Sequence, residues 1–169
     1  MTIRNLTVEN VQNDEFSVLY FAYASNIELY NITLKNYVGS NAVSSPFIIP
    51  NVVASTSFIV DGLTIEDSNL RSSGFFKNYG SYESCIFRNL NFTNVLSSSG
   101  SDIIVIENVK DIELSSFIFQ NVSMSDTDND SGSIIHLSSI DLNSSETTQT
   151  YKVCTLNLSS RTSQSRRQQ

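Results

Sequence analysis

From Phe87 the chain reads FRNLNFTNV, and from Leu114, 27 residues later, it reads LSSFIFQNV. Both stretches hold one apolar residue, two mostly polar residues, an apolar–x–apolar step, one polar residue and then Asn. The same pattern occurs in IRNLTVENV from Ile3, LYNITLKNY from Leu29 and VDGLTIEDS from Val60. Successive copies start 26, 31, 27 and 27 residues apart. Recurrence at this period is the mark of a repeat architecture. Alternation of apolar and polar residues is the strand period, with one face inward and one outward. The inward columns are Leu6, Ile32, Leu63, Leu90, Phe117 and Val8, Leu34, Ile65, Phe92, Phe119. In four copies the strand extends backwards through Ile27, Phe58, Cys85 and Ile112.

A second apolar cluster follows each variable connection: Val18–Phe21, Phe47–Ile49, Phe75-Phe76, Ile103–Ile106 and Ile134–Leu137. Each repeat therefore holds about three short strands, one coil of a solenoid. Two further columns mark its corners. Asn10, Asn36, Asp67, Asn94 and Asn121 share one place, and Asn5, Asn31, Gly62, Asn89 and Ser116 share another. Asn and Gly tolerate the left-handed backbone of a sharp corner. Stacked there, amides can hydrogen-bond along the solenoid axis. Period-two counting makes the first column an inward, buried ladder. Asn94→Leu is then expected to cost more than Thr64→Leu.

On these columns the chain resembles the right-handed parallel β-helix, the pectin-lyase-like fold with its asparagine ladder. Its Ser- and Asn-rich coils with internal N-x-T are also similar to large surface proteins of ciliated protists. The expected fold class is all-β, a β-solenoid of about five to six coils over residues 1–158, with a disordered polar tail over 159–169. Within it, Tyr151–Leu158 can form one more strand, after a polar loop at 143–150. A β-sandwich also uses short strands and polar turns, but does not explain coils recurring in register.

Composition agrees. Ser and Asn number 30 and 18 of 169 residues, while Ala, the best helix former, occurs four times. The formal charge of −7 argues against nucleic acid, which needs a Lys/Arg surface. No run of about 18 apolar residues is present to span a membrane. The opening MTIRNLTVEN lacks the apolar stretch of a signal peptide. The first coil starts in mid-pattern at Met1. The expectation is membership of a longer array, or end-to-end stacking through Met1, Ile3, Leu6 and Val8.

Chemistry is sparse. The resemblance implies a polysaccharide-cleaving alternative, but the polygalacturonase-like N-T-D, D-D, G-H-G and R-I-K are absent. The outward charges Arg4, Asp61, Arg88 and Glu9, Lys35, Glu66 alternate in sign, which reads as axial pairing rather than a calcium-binding acid cluster. His136 has no partner at a telling spacing and reads as an ordinary histidine. Cys85 and Cys154 fall about two coils apart and are expected to be unpaired. Asp126, Asp128 and Asp130 precede Gly132 as in a calcium loop, but Leu137 stands where the bidentate Glu should be, so a solvated acidic loop is the reading.

Seven sequons occur, at Asn5, Asn31, Asn91, Asn121, Asn129, Asn143 and Asn157. Asn129 and Asn143, in loops, are the expected glycan acceptors, and Asn121 is expected to be inaccessible. Tyr20, Tyr23, Tyr30, Tyr79 and Tyr82 are placed to stack on sugars, or simply to favour strand. Copy lengths vary mostly at one corner, through Gln12–Glu15, Val38–Pro46, Asn69–Ser73, Leu96–Asp102 and Ser123–Ser133. Insertions in a solenoid project from one edge, often the binding edge. The functional expectation is a non-catalytic structural or binding module of a surface or secreted repeat protein. It has no catalytic residue, cofactor or metal, and takes a carbohydrate or protein ligand at that edge.

Overall fold

The computed structural model describes residues 1–13, 15–22, 24–42, 46–51, 55–78, 81–98, 102–125, 134–138 and 152–159. Among these the chain is all strand: β1 (Thr2–Arg4), β2 (Thr7–Glu9), β3 (Leu19–Ala22), β4 (Asn26–Lys35), β5 (Ile48–Asn51), β6 (Ser55–Asn69), β7 (Phe76–Lys77), β8 (Tyr82–Ser98), β9 (Ile104–Glu107), β10 (Val109–Gln120), β11 (Ser123–Ser125), β12 (Ile135–Ser138) and β13 (Lys152–Ser159). Every strand pairing is parallel. The long sheet runs β1-β4-β6-β8-β10-β13, with β2 also on β4 and β11 also on β8. The short sheet runs β12-β9-β7-β5-β3. This is a parallel β-solenoid of about four turns. A sandwich, made of antiparallel sheets, is excluded. The five to six coils of the sequence count include a last connection that lies largely outside the described residues.

The register follows the sequence columns. Leu29 pairs with Val60, Ile32 with Leu63 and Leu34 with Ile65, and the alignment continues through Phe87, Leu90 and Phe92 to Leu114, Phe117 and Phe119. In the short sheet Leu19, Ile48, Phe76, Ile104 and Ile135 share one column. β13 continues the long sheet, with Val153, Leu156 and Leu158 in register with Leu114, Phe117 and Phe119. VCTLNLSS is thus a sixth copy of the repeat. It was hard to read because 39 residues separate Val153 from Leu114, against 27 for the copy before.

Inward side chains of the two sheets meet in one core. Phe58 of β6 lies 4.8 Å from Phe76 of β7, which lies 5.2 Å from Phe87 of β8, measured between ring centroids. Tyr37, Phe47 and Phe75 form a second aromatic run at the loop edge, at 5.4 and 5.5 Å. All six are fully or almost fully buried. Aromatic pairs at these distances add about 0.5–1.5 kcal/mol each beyond their area.

Candidate functional site

The corner columns have the backbone the residue types suggested. Asn10, Asn36, Asp67, Asn94 and Asn121 all have positive φ, between 48° and 55°. Asn5, Asn31, Gly62, Asn89 and Ser116 do too, between 53° and 78°. The amides stack along the axis. Asn36 donates through Nδ2 to Oδ1 of Asn10 at 3.0 Å, Asn94 to Asp67 at 2.7 Å and Asn121 to Asn94 at 3.0 Å. In the other column Asn31 donates to Asn5 at 3.1 Å, while Asn89 turns to Asp61 at 2.7 Å.

Their orientation corrects the expectation. All five residues of the first column are exposed, so the ladder runs down the outside of the corner and is not a buried rung. Leu34 is inward and Lys35 is partly exposed, so alternation would bury Asn36. Instead Asn36 is exposed and Tyr37 is buried. A left-handed residue turns the strand at its own position, so two consecutive side chains face out and the period-two count slips by one. Asn121 is exposed for the same reason, contrary to the inaccessible sequon expected there. The sequon residues Asn5 and Asn31 are also exposed corner residues. Asn129 and Asn143 lie outside the described residues, as does the acidic stretch at 126–130.

The outward charges do pair. Asp61 lies 3.7 Å from Arg88, which also lies 4.0 Å from Glu113. Lys35 meets Glu66 at 3.8 Å and Lys110 meets Glu83 at 2.8 Å. One expected neighbour is different: Tyr30 stands between Arg4 and Asp61, and the Arg4 guanidinium lies 4.6 Å from the Tyr30 ring centroid. One face of that ring is therefore taken up by a cation. Tyr82 is 2% exposed and packs on Phe58, so it offers no stacking face. Tyr20 is exposed, and Tyr23 and Tyr79 lie outside the described residues.

His136, unpartnered by sequence spacing, has a partner in space. Its Nδ1 lies 3.0 Å from Oδ2 of Asp102. Asp102 ends one variable connection, and His136 follows the next, on β12. They meet because β12 pairs with β9, which puts His136 beside Val105. A 34-residue separation left no local signal. An imidazole held this way through Nδ1 can present Nε2 as acid, base or ligand. Among the described residues no group of three or more His, Cys, Asp or Glu is placed to hold a metal ion.

Cys85 is a buried free cysteine on the Ile27–Phe58–Ile112 column. Cys154 aligns with Ser115 and Arg88, a different column two strands away. Burial pushes the Cys85 thiol up to about 12, which makes it inert as a nucleophile. Burial likewise raises Tyr37 and Tyr82, the latter also through its neighbour Cys85.

No protein-family model, curated protein or solved structure matches this chain. Among the described residues no helix is long and apolar enough to cross a membrane.

Proposed function

We propose that this chain is a non-catalytic structural or binding module of a surface or secreted β-helix repeat protein. In this reading its coils are right-handed and pectin-lyase-like, and a carbohydrate or protein ligand sits on the variable-loop edge. The observation that supports it is the outer face of the long sheet. There Asp61, Arg88 and Glu113, Lys35 and Glu66, and Lys110 and Glu83 are taken up in axial pairs. A lyase of acidic polysaccharide needs unpaired cations or a gathered acid cluster on that face. The test is incubation with polygalacturonate and calcium, followed by absorbance of unsaturated ends and a reducing-end assay. No product is the expected result. Release of either end at a rate that falls in Arg88→Ala overturns the reading.

A second reading, a carbohydrate-active enzyme of the pectin-lyase-like type, draws on the Asp102–His136 pair at the loop edge. Product released by the chain and lost in His136→Ala would establish it.

A further inference from the structure

Both corner columns stop at the same level of the stack. Below that level Asn31 is bonded to Asn5 and Asn36 to Asn10. Above it Asn94 is bonded to Asp67 and Asn121 to Asn94. Between β4 and β6, among the described residues, neither column has a side-chain bond. Gly62 has no side chain, and its absent Cβ would lie 2.8 Å from Oδ1 of Asn31, in space that oxygen leans into. Asp67 fails for another reason. A carboxylate accepts but does not donate, so Asn36 Oδ1 lacks the donor that its counterparts on Asn10 and Asn94 have. The copies on either side of this level start 31 residues apart, against 26 or 27 for the other levels from β1 to β10.

We infer that the level between β4 and β6 is a built-in seam, at which the coils of β1, β2 and β4 open together while those of β6, β8 and β10 stay closed. Solenoid stability is close to a sum of nearest-neighbour terms, and partial opening follows the weakest of them. The seam keeps its main-chain ladder from Asn26–Ser57 to Lys35–Glu66, continued by Asn69 N to Tyr37 O and Gly39 N to Asn69 O, the bonds from Ser57 Oγ to Asn26 Oδ1 at 3.0 Å and from Tyr37 N to Ser68 Oγ at 3.1 Å, and the exposed Lys35–Glu66 pair. The β6–β8 level has its own main-chain ladder and ion pair, and adds the Asn94–Asp67 and Asn89–Asp61 bonds. The loss of both corner bonds is what sets the seam apart.

Native-state hydrogen exchange on the full chain tests this. Thr33 N donates to Leu6 O below the seam, Asn36 N to Glu66 O across it, and Leu70 N to Leu96 O above it. Thr33 and Asn36 are expected to share one protection factor, with Leu70 about tenfold or more higher. Simple fraying from the end gives instead a graded rise from Thr33 through Asn36 to Leu70, and overturns the seam. Asp67→Asn supplies the missing donor and should raise protection of Thr33 and Asn36 about fivefold, leaving Leu70 unchanged. No gain in Asp67→Asn, or an equal gain at Leu70, also overturns it.

Discussion

The long sheet and the short sheet are wound from the same chain at the same axial spacing, yet their strands differ greatly in length. β6 and β8 run for 15 and 17 residues, whereas β7 has 2 and β3, β5, β9 and β12 have 4. The long strands turn corners without ending because the left-handed Asn, Asp or Gly bends the backbone while its N–H stays in the ladder. Gly62 and Asp67 lie inside β6 and Asn89 and Asn94 inside β8, and even at the corners where β1 and β4 end, Asn5 N donates to Tyr30 O and Asn36 N to Glu66 O. Among the described residues the short sheet has no such column, and connections of unequal length break it at both ends. It is held by its share of the aromatic core and by one buried amide. Asn78 is 1% exposed; its Oδ1 accepts from Glu107 N at 2.7 Å, and its Nδ2 donates to Glu107 O. Asparagine thus does opposite work in the two sheets. In one it permits a backbone angle on the surface, and in the other it satisfies main-chain groups in the interior.

The largest effect should come where the sheets meet. Phe58→Ala opens a cavity against Phe76 and Phe87 and should cost about 3–5 kcal/mol in urea unfolding. Phe16→Ala, at a residue 74% exposed, should lie within about 0.5 kcal/mol. Similar costs for the two would mean that the sheets do not share a core.

Next come the two kinds of asparagine. Asn78→Ala leaves Glu107 N–H and C=O unpaired and should cost about 1–3 kcal/mol. At Asn94 the cost should follow backbone rather than burial: Asn94→Ala about 1–2 kcal/mol, Asn94→Gly clearly less. If Asn94→Gly costs as much as Asn94→Ala, the amide bonds and not the angle carry that corner. The contrast between the sheets then fails.

The smallest expected effect is pH dependence from the long sheet alone. Cys85 goes from an ordinary 9.0 to about 12 on burial, so the folded state holds the thiol proton more tightly. That contribution is complete below about pH 9 and is lost as pH rises from there toward 12, at roughly 1 kcal/mol per unit. Tyr82 and Tyr37 act in the same direction. Urea midpoints should fall between pH 9 and 10, less steeply in Cys85→Ala. An unchanged slope in that variant would place the titration elsewhere.

Much of this architecture was legible in the chain because it depends on counting. Leu6, Ile32, Leu63, Leu90 and Phe117 recur at nearly constant spacing with alternating neighbours, and a parallel stack is the arrangement that puts all of them inside. Corner positions were legible as well, since Asn and Gly recur where only a left-handed backbone suits. Counting failed at the point where a rule with one period meets a residue that resets it. At Asn36 and Asn94 positive φ turns an inward expectation outward, and nothing in a hydrophobic pattern records the sign of φ. The candidate site was less legible still. Asp102 and His136, like Asn78 and Glu107, are joined through strand pairing across 34 and 29 residues of chain. The sequence determined which residues stack on which, because the repeat itself specifies the register. Which way the ladder faces, which charges and amides find one another, and where the stack is weakest were decided only by the tertiary structure, since each depends on closure of coils that no single repeat contains.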